Sequence, residues 1–254
     1  MTDKTTNETA TDVAQKPAQA SFYGKLEALH PERHGDLRLK PGADFRFARN
    51  ANAIPITDVE FAAASRFHPI VFTPDQAVPM VTLGLQQENL FVGDEGSWNT
   101  TPSYVPAYLR RYPFIFIENG DQFVLGVDRE CDRVTDAQGE GEPLFVDGKP
   151  SAFTRDVLNF TAQLHNQHLS TRAFGAALIE QKLLIDRQAQ ASLPDGRRFN
   201  VAGFQIVDAQ KFQALPDAVV TEWHKKGWLG LVHFHLASLE RFHDLMGKMP
   251  RAAA

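Results

Sequence analysis

Apolar residues fall at alternate positions at Phe45 and Phe47 and again at Ile54 and Ile56, the period of half-buried strands. Thr57-Asp-Val-Glu60 then has the form of a capping box: the Thr57 hydroxyl can accept the Glu60 N–H while the Glu60 carboxylate reaches back to the Thr57 N–H. A helix is predicted to start there. Pro69 disfavours helical geometry at His68, so the helix ends early and Ile70-Val-Phe72 reads as a buried strand. The arrangement returns 44 residues later, where Thr57, Ala63, Arg66, Pro69 and Phe72 recur as Thr101, Ala107, Arg110, Pro113 and Phe116. Leu83-Gly84 recurs as Leu125-Gly126 after a two-residue shift. Each unit reads as helix, Pro-led strand, turn and second strand, and Asn119-Gly120-Asp121 suits the second turn because Asn and Gly tolerate positive φ. Pro106 moves the start of the second helix from Thr101 towards Ser103.

Asp132 to Gly148 is polar, acidic and Gly-rich apart from Pro143-Leu-Phe-Val146, and predicts a loop or connector at which the chain could divide. Helical periodicity follows over Phe153 to about His168, with Ser170 or Thr171 capping a second helix to about Gln181. Leu183-Leu-Ile185 and Arg198 to Val207 flank Pro194-Asp-Gly196 as a hairpin. Asp208 can cap a short helix ending before Pro216, and Asp217 to Lys226 forms another, with Gly227 as its C′ residue. At 100° per residue, Trp228, Leu231, Val232, Leu239, Phe242 and Met246 share one face of a last helix, with His233, Glu240 and Asp244 opposite. These elements predict an α+β fold over residues 21–246: a mixed β/α N-terminal half with two helix–strand–strand units, then a helical C-terminal half with one β-hairpin. Residues 1–20 have no aromatic residue and a single Val, which predicts a disordered tail, and residues 247–254 are expected to fray after the last helix.

Composition narrows the classes of function. Nineteen Phe against 4 Tyr and 3 Trp indicate aromatics used mainly to fill a core. A formal charge of −5 argues against nucleic-acid or anionic-membrane binding driven by charge. The single Cys131 excludes an internal disulfide and a four-cysteine zinc site. The longest stretch free of Asp, Glu, Lys and Arg, Val157 to Thr171, has 15 residues where a membrane-spanning helix needs about 20. The N-terminus carries no secretory signal, so a cytoplasmic location is expected, with export by an unmarked route left open.

Candidate chemistry is sparse. His233 and His235 stand 200° apart on a helix, and His235 and His243 are two turns apart, so neither pair can share a metal and His235 reads as a hydrogen-bonded core residue. His165-x-x-His168 has metal-compatible spacing but lacks a third ligand nearby, so no metal or other cofactor is expected. Glu130 and Asp132 beside Cys131 would raise its thiol pKa. The richest segment is Glu88 to Tyr112. There Asn89, Asp94, Glu95, Trp98, Tyr104 and Tyr108 mix hydrogen-bonding groups with flat apolar faces, a combination suited to a glycan or peptide, although Trp98 could instead close over the core. Arg110 and Arg111 could hold a carboxylate or phosphate through bidentate guanidinium contacts; ion pairs with carboxylates of the 93–98 loop are the commoner arrangement.

Glu88-Asn-Leu-Phe91, Gly96-x-Trp98, Tyr104-Val-Pro-Ala-Tyr108 and Arg110-Arg-Tyr-Pro-Phe114 resemble the bacterial SapC family. So do Gly203-Phe204, Asp208, Leu215-Pro-Asp217 and His235-Leu-x-Ser-Leu239, in family order over roughly Leu26 to Met246. The resemblance implies a link to surface-layer production and to TonB-dependent outer-membrane receptors, near whose genes such proteins occur with tryptophan-halogenase-like and cupin-like neighbours. It implies no reaction and no catalytic residue. It is not the peptide-transporter permease of similar name, which needs membrane helices. The expected role is a soluble, non-enzymatic accessory protein that binds a protein partner or a small ligand, glycan or peptide. The rival expectations are a glycan- or peptide-directed enzyme using residues 88–112, and a metal or cofactor binder at His165 and His168.

Overall fold

The structure, a computed structural model, describes residues 22–99, 102–119, 122–192 and 198–249. The expected tail, Thr101, the hairpin tips at Gly120-Asp121 and Pro194-Asp-Gly196, and residues 250–254 lie outside them. The elements run β1 (Leu26–Ala28), α1 (Pro31–His34), β2 (Arg38–Leu39), β3 (Ala53–Pro55), α2 (Phe61–Ala64), β4 (Ile70–Phe72), β5 (Pro79–Thr82), α3 (Ala107–Arg110), β6 (Phe114–Asn119) and β7 (Gln122–Asp128). There follow β8 (Val134–Thr135), β9 (Glu142–Pro143), β10 (Phe145–Val146), β11 (Lys149–Pro150), α4 (Ala152–Glu180), β12 (Leu184–Ser192) and β13 (Arg198–Val207). Helices α5 (Ala209–Gln213), α6 (Asp217–Lys226), α7 (Trp228–Ser238) and α8 (Arg241–Lys248) complete an α+β fold.

The larger sheet is antiparallel, in the order β12-β13-β4-β5-β3; a second has the order β1-β7-β6. Both expected units therefore form as helix, strand, turn and strand, but each hairpin enters a different sheet. Their registers also differ. Phe72 pairs with Pro79, which leaves Leu83 beyond the end of β5, whereas Phe116 pairs with Leu125 in the middle of β7. The recurrence of Leu-Gly thus does not mark equivalent places, because the second hairpin pairs over more residues.

Three further expectations are corrected. Phe45 and Phe47 flank Arg46 at a 3-10 turn rather than in a strand, and both rings pack against the main core. The two helices expected on either side of Ser170 are one 29-residue helix, α4, capped by Ser151, whose Oγ accepts the Thr154 N–H at 3.1 Å. Thr171 does not cap, because its hydroxyl donates to the Gln167 carbonyl one turn back at 2.6 Å and accepts the Asp58 N–H at 2.8 Å. The last helix is two. Ser238 Oγ donates to the His235 carbonyl at 2.6 Å, the acceptor a continuing helix would use for Leu239, and the chain turns at Leu239-Glu240 before α8. Leu239 is consequently only half-buried, while Val232, His235, Ser238 and Leu245 are enclosed. Helix α8 reaches Lys248 and Met249 is buried, so the folded part extends past the expected boundary at Met246.

Two expected caps of the C-terminal half do form: Asp208 Oδ1 accepts the Gln210 N–H at 3.0 Å, and Gly227 takes φ +74° after α6. Among the described residues the buried apolar side chains make two clusters. One surrounds Phe61, Phe72, Phe174 and Leu178; the other holds Leu37, Leu39, Phe114, Val127, Leu144 and Phe145. Helix α4 serves both, with Phe153 and Val157 against the second and Phe174 in the first. In the connector after Cys131 the short strands β8 and β9 flank β2.

Where β13 and β4 diverge, one side chain spans them. The two strands share only the Gln205–Phe72 pair. His235, on α7, donates from Nδ1 to the Ile70 carbonyl at 2.8 Å and accepts the Val207 N–H on Nε2 at 3.0 Å. Ser238 Oγ accepts the Ile70 N–H at 2.9 Å. The helix thus supplies the hydrogen bonds the ladder lacks, and burial pushes the His235 pKa down to about 4, which keeps the ring neutral for this role.

Candidate functional site

The segment 88–98 is built from inside. Asn89 is buried: its Oδ1 accepts the Phe91 N–H at 3.0 Å, and its Nδ2 donates to the Ala48 carbonyl at 3.3 Å. The loop then closes through Gly93 N–H to the Ser97 carbonyl at 2.9 Å, with Gly96 at φ +80° and set against Asp44, where a Cβ would clash. Arg49, not Arg110 or Arg111, ties the loop down, donating to the carbonyls of Gly93 at 3.1 Å and Asp94 at 2.7 Å. The side chains of Asp94 and Glu95 remain exposed. Trp98 is half-buried: it stacks on Phe91 with centroids 5.4 Å apart, meets Phe45 edge-on, and donates from Nε1 to Ser103 Oγ at 2.8 Å.

Tyr104 and Tyr108 are drawn inward by two different partners. Glu60 keeps its buried carboxylate by accepting four hydrogen bonds: from Thr57 N–H at 2.8 Å and Thr57 Oγ1 at 3.0 Å on one oxygen, and from Tyr104 Oη and Ala107 N–H, both at 2.8 Å, on the other. The expected capping box forms, with both reciprocal contacts between Thr57 and Glu60 present, and the Glu60 N–H also bonds the Thr57 carbonyl at 3.0 Å. Burial, and then the Glu60 charge, raise the Tyr104 pKa. Tyr108 is 2% exposed, has no hydrogen-bond partner for its hydroxyl, and is pushed up to about 12 by burial.

Arg111 is the unusual member. It is 7% exposed, its guanidinium carbon lies 4.1 Å from the Tyr108 ring centre, and its Nε and Nη2 are enclosed without an acceptor. The ion pair expected with the 93–98 loop does not form: among the described residues no carboxylate pairs with Arg111, because Arg49 occupies that loop. A cation–π contact contributes about 2 kcal/mol when desolvated, whereas removing a cation from water costs several kcal/mol even after relaxation. The Tyr108 ring and the Tyr23 side chain, which Arg111 also approaches, are uncharged and do not offset the burial of the Arg111 cation.

Arg110 and Arg111 line a cavity of about 290 Å³. Its walls are the 42–47 segment, the α3–β6 junction, Arg133, and Phe153, Val157 and Phe160 of α4. Arg110 lies over Phe160 at 5.4 Å and donates from Nε to the Val105 carbonyl at 3.1 Å. Asp44 is the one carboxylate on the wall; Arg46 beside it holds its pKa down. The α4 contribution was missed from sequence, although apolar residues at i, i+4 and i+7 from Phe153 are a helical stripe that could have marked it.

The eight candidate residues do not converge. Arg110 and Arg111 reach this cavity, Asn89 and Tyr108 are buried, Tyr104 and Trp98 are half-buried and engaged by Glu60 and Ser103, and Asp94 and Glu95 are exposed. A second, open hollow of about 580 Å³ lies between the end of α2 and α8, lined by Arg66, Phe67, Phe91, Ser103, Arg241 and Lys248. Behind it His68 is fully buried, donates from Nε2 to the Tyr104 carbonyl at 2.8 Å, and is pushed down to about 4 by burial. His165 packs on Phe123 at 4.7 Å, while His168 Nε2 is enclosed without a partner and its pKa falls to about 4, again through burial. No group of three His, Cys, Asp or Glu side chains capable of holding a metal occurs among the described residues. Burial is the main cause of the raised Cys131 thiol pKa. No helix among the described residues is long and apolar enough to cross a membrane.

The SapC family model matches residues 29–245, most of the chain. Comparison with curated proteins and with solved structures finds no match.

Proposed function

The chain belongs to the SapC family, and from that premise we propose that it is a non-enzymatic accessory protein of a bacterial surface-layer or TonB-dependent uptake system, acting in the cytoplasm by binding a small ligand. The observation that carries the binding role is Arg111, a buried cation without a counter-charge on the wall of a largely apolar cavity. Acid–base catalysis finds less support. Both oxygens of Glu60 are saturated with hydrogen bonds, and among the described residues the carboxylates whose pKa moves, Glu27, Asp44 and Asp128, move down, away from the range of a general acid. The surface and uptake link rests on family resemblance. Deleting the gene should reduce surface-layer assembly or TonB-dependent nutrient uptake, and restoring it should recover the phenotype. Unchanged surface and uptake in the deletion strain, or turnover of glycans or peptides by the purified protein, would overturn the reading.

A further inference from the structure

The 290 Å³ cavity sets apolar surfaces from two sides, Phe45 and Phe47 against Phe153, Val157 and Phe160, with Arg110, Arg111 and Arg133 at its edges. The arginines are not neutralised there. Asp44 is engaged by Arg46, and Arg133, whose charge also acts on Asp44, spends Nε and Nη2 on the Lys40 carbonyl at 3.1 and 2.9 Å and makes no salt bridge among the described residues. Tyr108, under the Arg111 guanidinium, adds a second buried donor that lacks an acceptor. We propose that this cavity binds a small organic acid, a carboxylate carried on an aromatic or comparably compact apolar body, with Arg111 holding the carboxylate and the α4 stripe holding the body.

Size and chemistry both select that class. An apolar cavity of about 150 Å³ accommodates benzene, so roughly twice that volume takes a ring with a short acid-bearing chain. A carboxylate supplies the planar, two-oxygen acceptor that a guanidinium fork matches. A polyhydroxylated sugar would leave its hydroxyls unpaired against phenylalanine faces, which disfavours a glycan here.

The inference rests on the ligand-binding reading above but is tested apart from it, by binding to the purified full-length protein. Calorimetric titration with 3-phenylpropanoate should show binding, whereas 3-phenylpropanamide, of the same shape without the charge, should bind at least about tenfold more weakly. Inorganic phosphate should not compete. Arg111→Gln should lose at least about tenfold in affinity for the acid while retaining a cooperative unfolding transition, since the change removes an unpaired buried charge. Val157→Phe, which fills the cavity from α4 and leaves every arginine in place, should abolish binding. Equal affinity for acid and amide, phosphate binding as tightly as the acid, or undiminished binding in folded Val157→Phe would overturn the proposal. So would a failure of the wild type to bind at millimolar acid. A deletion phenotype alongside any of these results would leave the accessory role standing and remove only this ligand.

Discussion

Glu60 Oε1 accepts the backbone N–H of Ala107 at 2.8 Å, so a carboxylate that opens the first helix–strand–strand unit also closes the start of α3 in the second. The contact crosses 47 residues of chain and makes the two units dependent on one buried charge. Glu60→Ala should strand four donors at once and destabilise the fold by about 3 kcal/mol or more, against about 1–3 kcal/mol for one unsatisfied buried group. Glu60→Gln keeps an acceptor on one side only and should fall between. Urea denaturation of the three proteins checks the order; a Gln variant as stable as the wild type would show that the charge contributes nothing.

Stability should fall as pH drops from about 6.5 towards 4. His68, His168 and His235 each have a folded pKa of about 4, lowered by burial from 6.5. Below 6.5 the unfolded chain takes up protons that the folded one refuses, so the stabilisation is complete above 6.5 and is lost across that window. His235→Gln should lower stability at pH 7 by removing the bridge between Ile70 and Val207, and should flatten the acid slope relative to the wild type. Identical slopes would mean that His235 titrates the same in both states.

Trp98→Ala should cost up to about 3 kcal/mol, the low end for emptying a buried aromatic site, because the indole is half-buried, stacks on Phe91 and is held by Ser103. Binding of the organic acid should be unaffected after correction for unfolded protein, since Trp98 is not on the cavity wall. A binding loss in folded protein with little loss of stability would restore Trp98 as a ligand anchor.

In the C-terminal helices, Leu245→Ala should destabilise by about 2–5 kcal/mol, as expected for a fully enclosed leucine. Leu239→Ala, at the half-buried turn, should cost less, and His233→Ala, on the exposed side, little. Thermal melts rank the three, and a Leu239 effect equal to that of Leu245 would contradict the break between α7 and α8.

Features encoded within a few residues were legible in the sequence. The Thr57–Glu60 turn, the Asp208 cap and the Gly227 stop depend on local hydrogen bonds and backbone preference, and each forms. What escaped depends on partners far along the chain. Thr171 carries the local signature of a cap, but Asp58, 113 residues away, takes its hydroxyl as an acceptor inside a continuous helix. Phe45 and Phe47 alternate as in a strand, yet the ring of Phe47 stacks at 3.9 Å on Tyr112 while the backbone turns. Arg111 was recognisable as an anion-holding residue type; that it would be left without an ion pair follows only from Arg49 having taken the loop.

The bridge from His235 to Ile70 has a consequence for synthesis. Ile70 leaves the ribosome 165 residues before the histidine that completes its hydrogen bonds, and at elongation rates of up to about 20 residues per second the interval is roughly 8 s or longer. Until β13 is made, β4 can pair with β5 alone, and even afterwards its other edge is held by a single residue pair until α7 arrives. A nascent chain halted before Trp228 should therefore present an apolar open strand edge to chaperones, and release of the finished C-terminus should be the event that hides it.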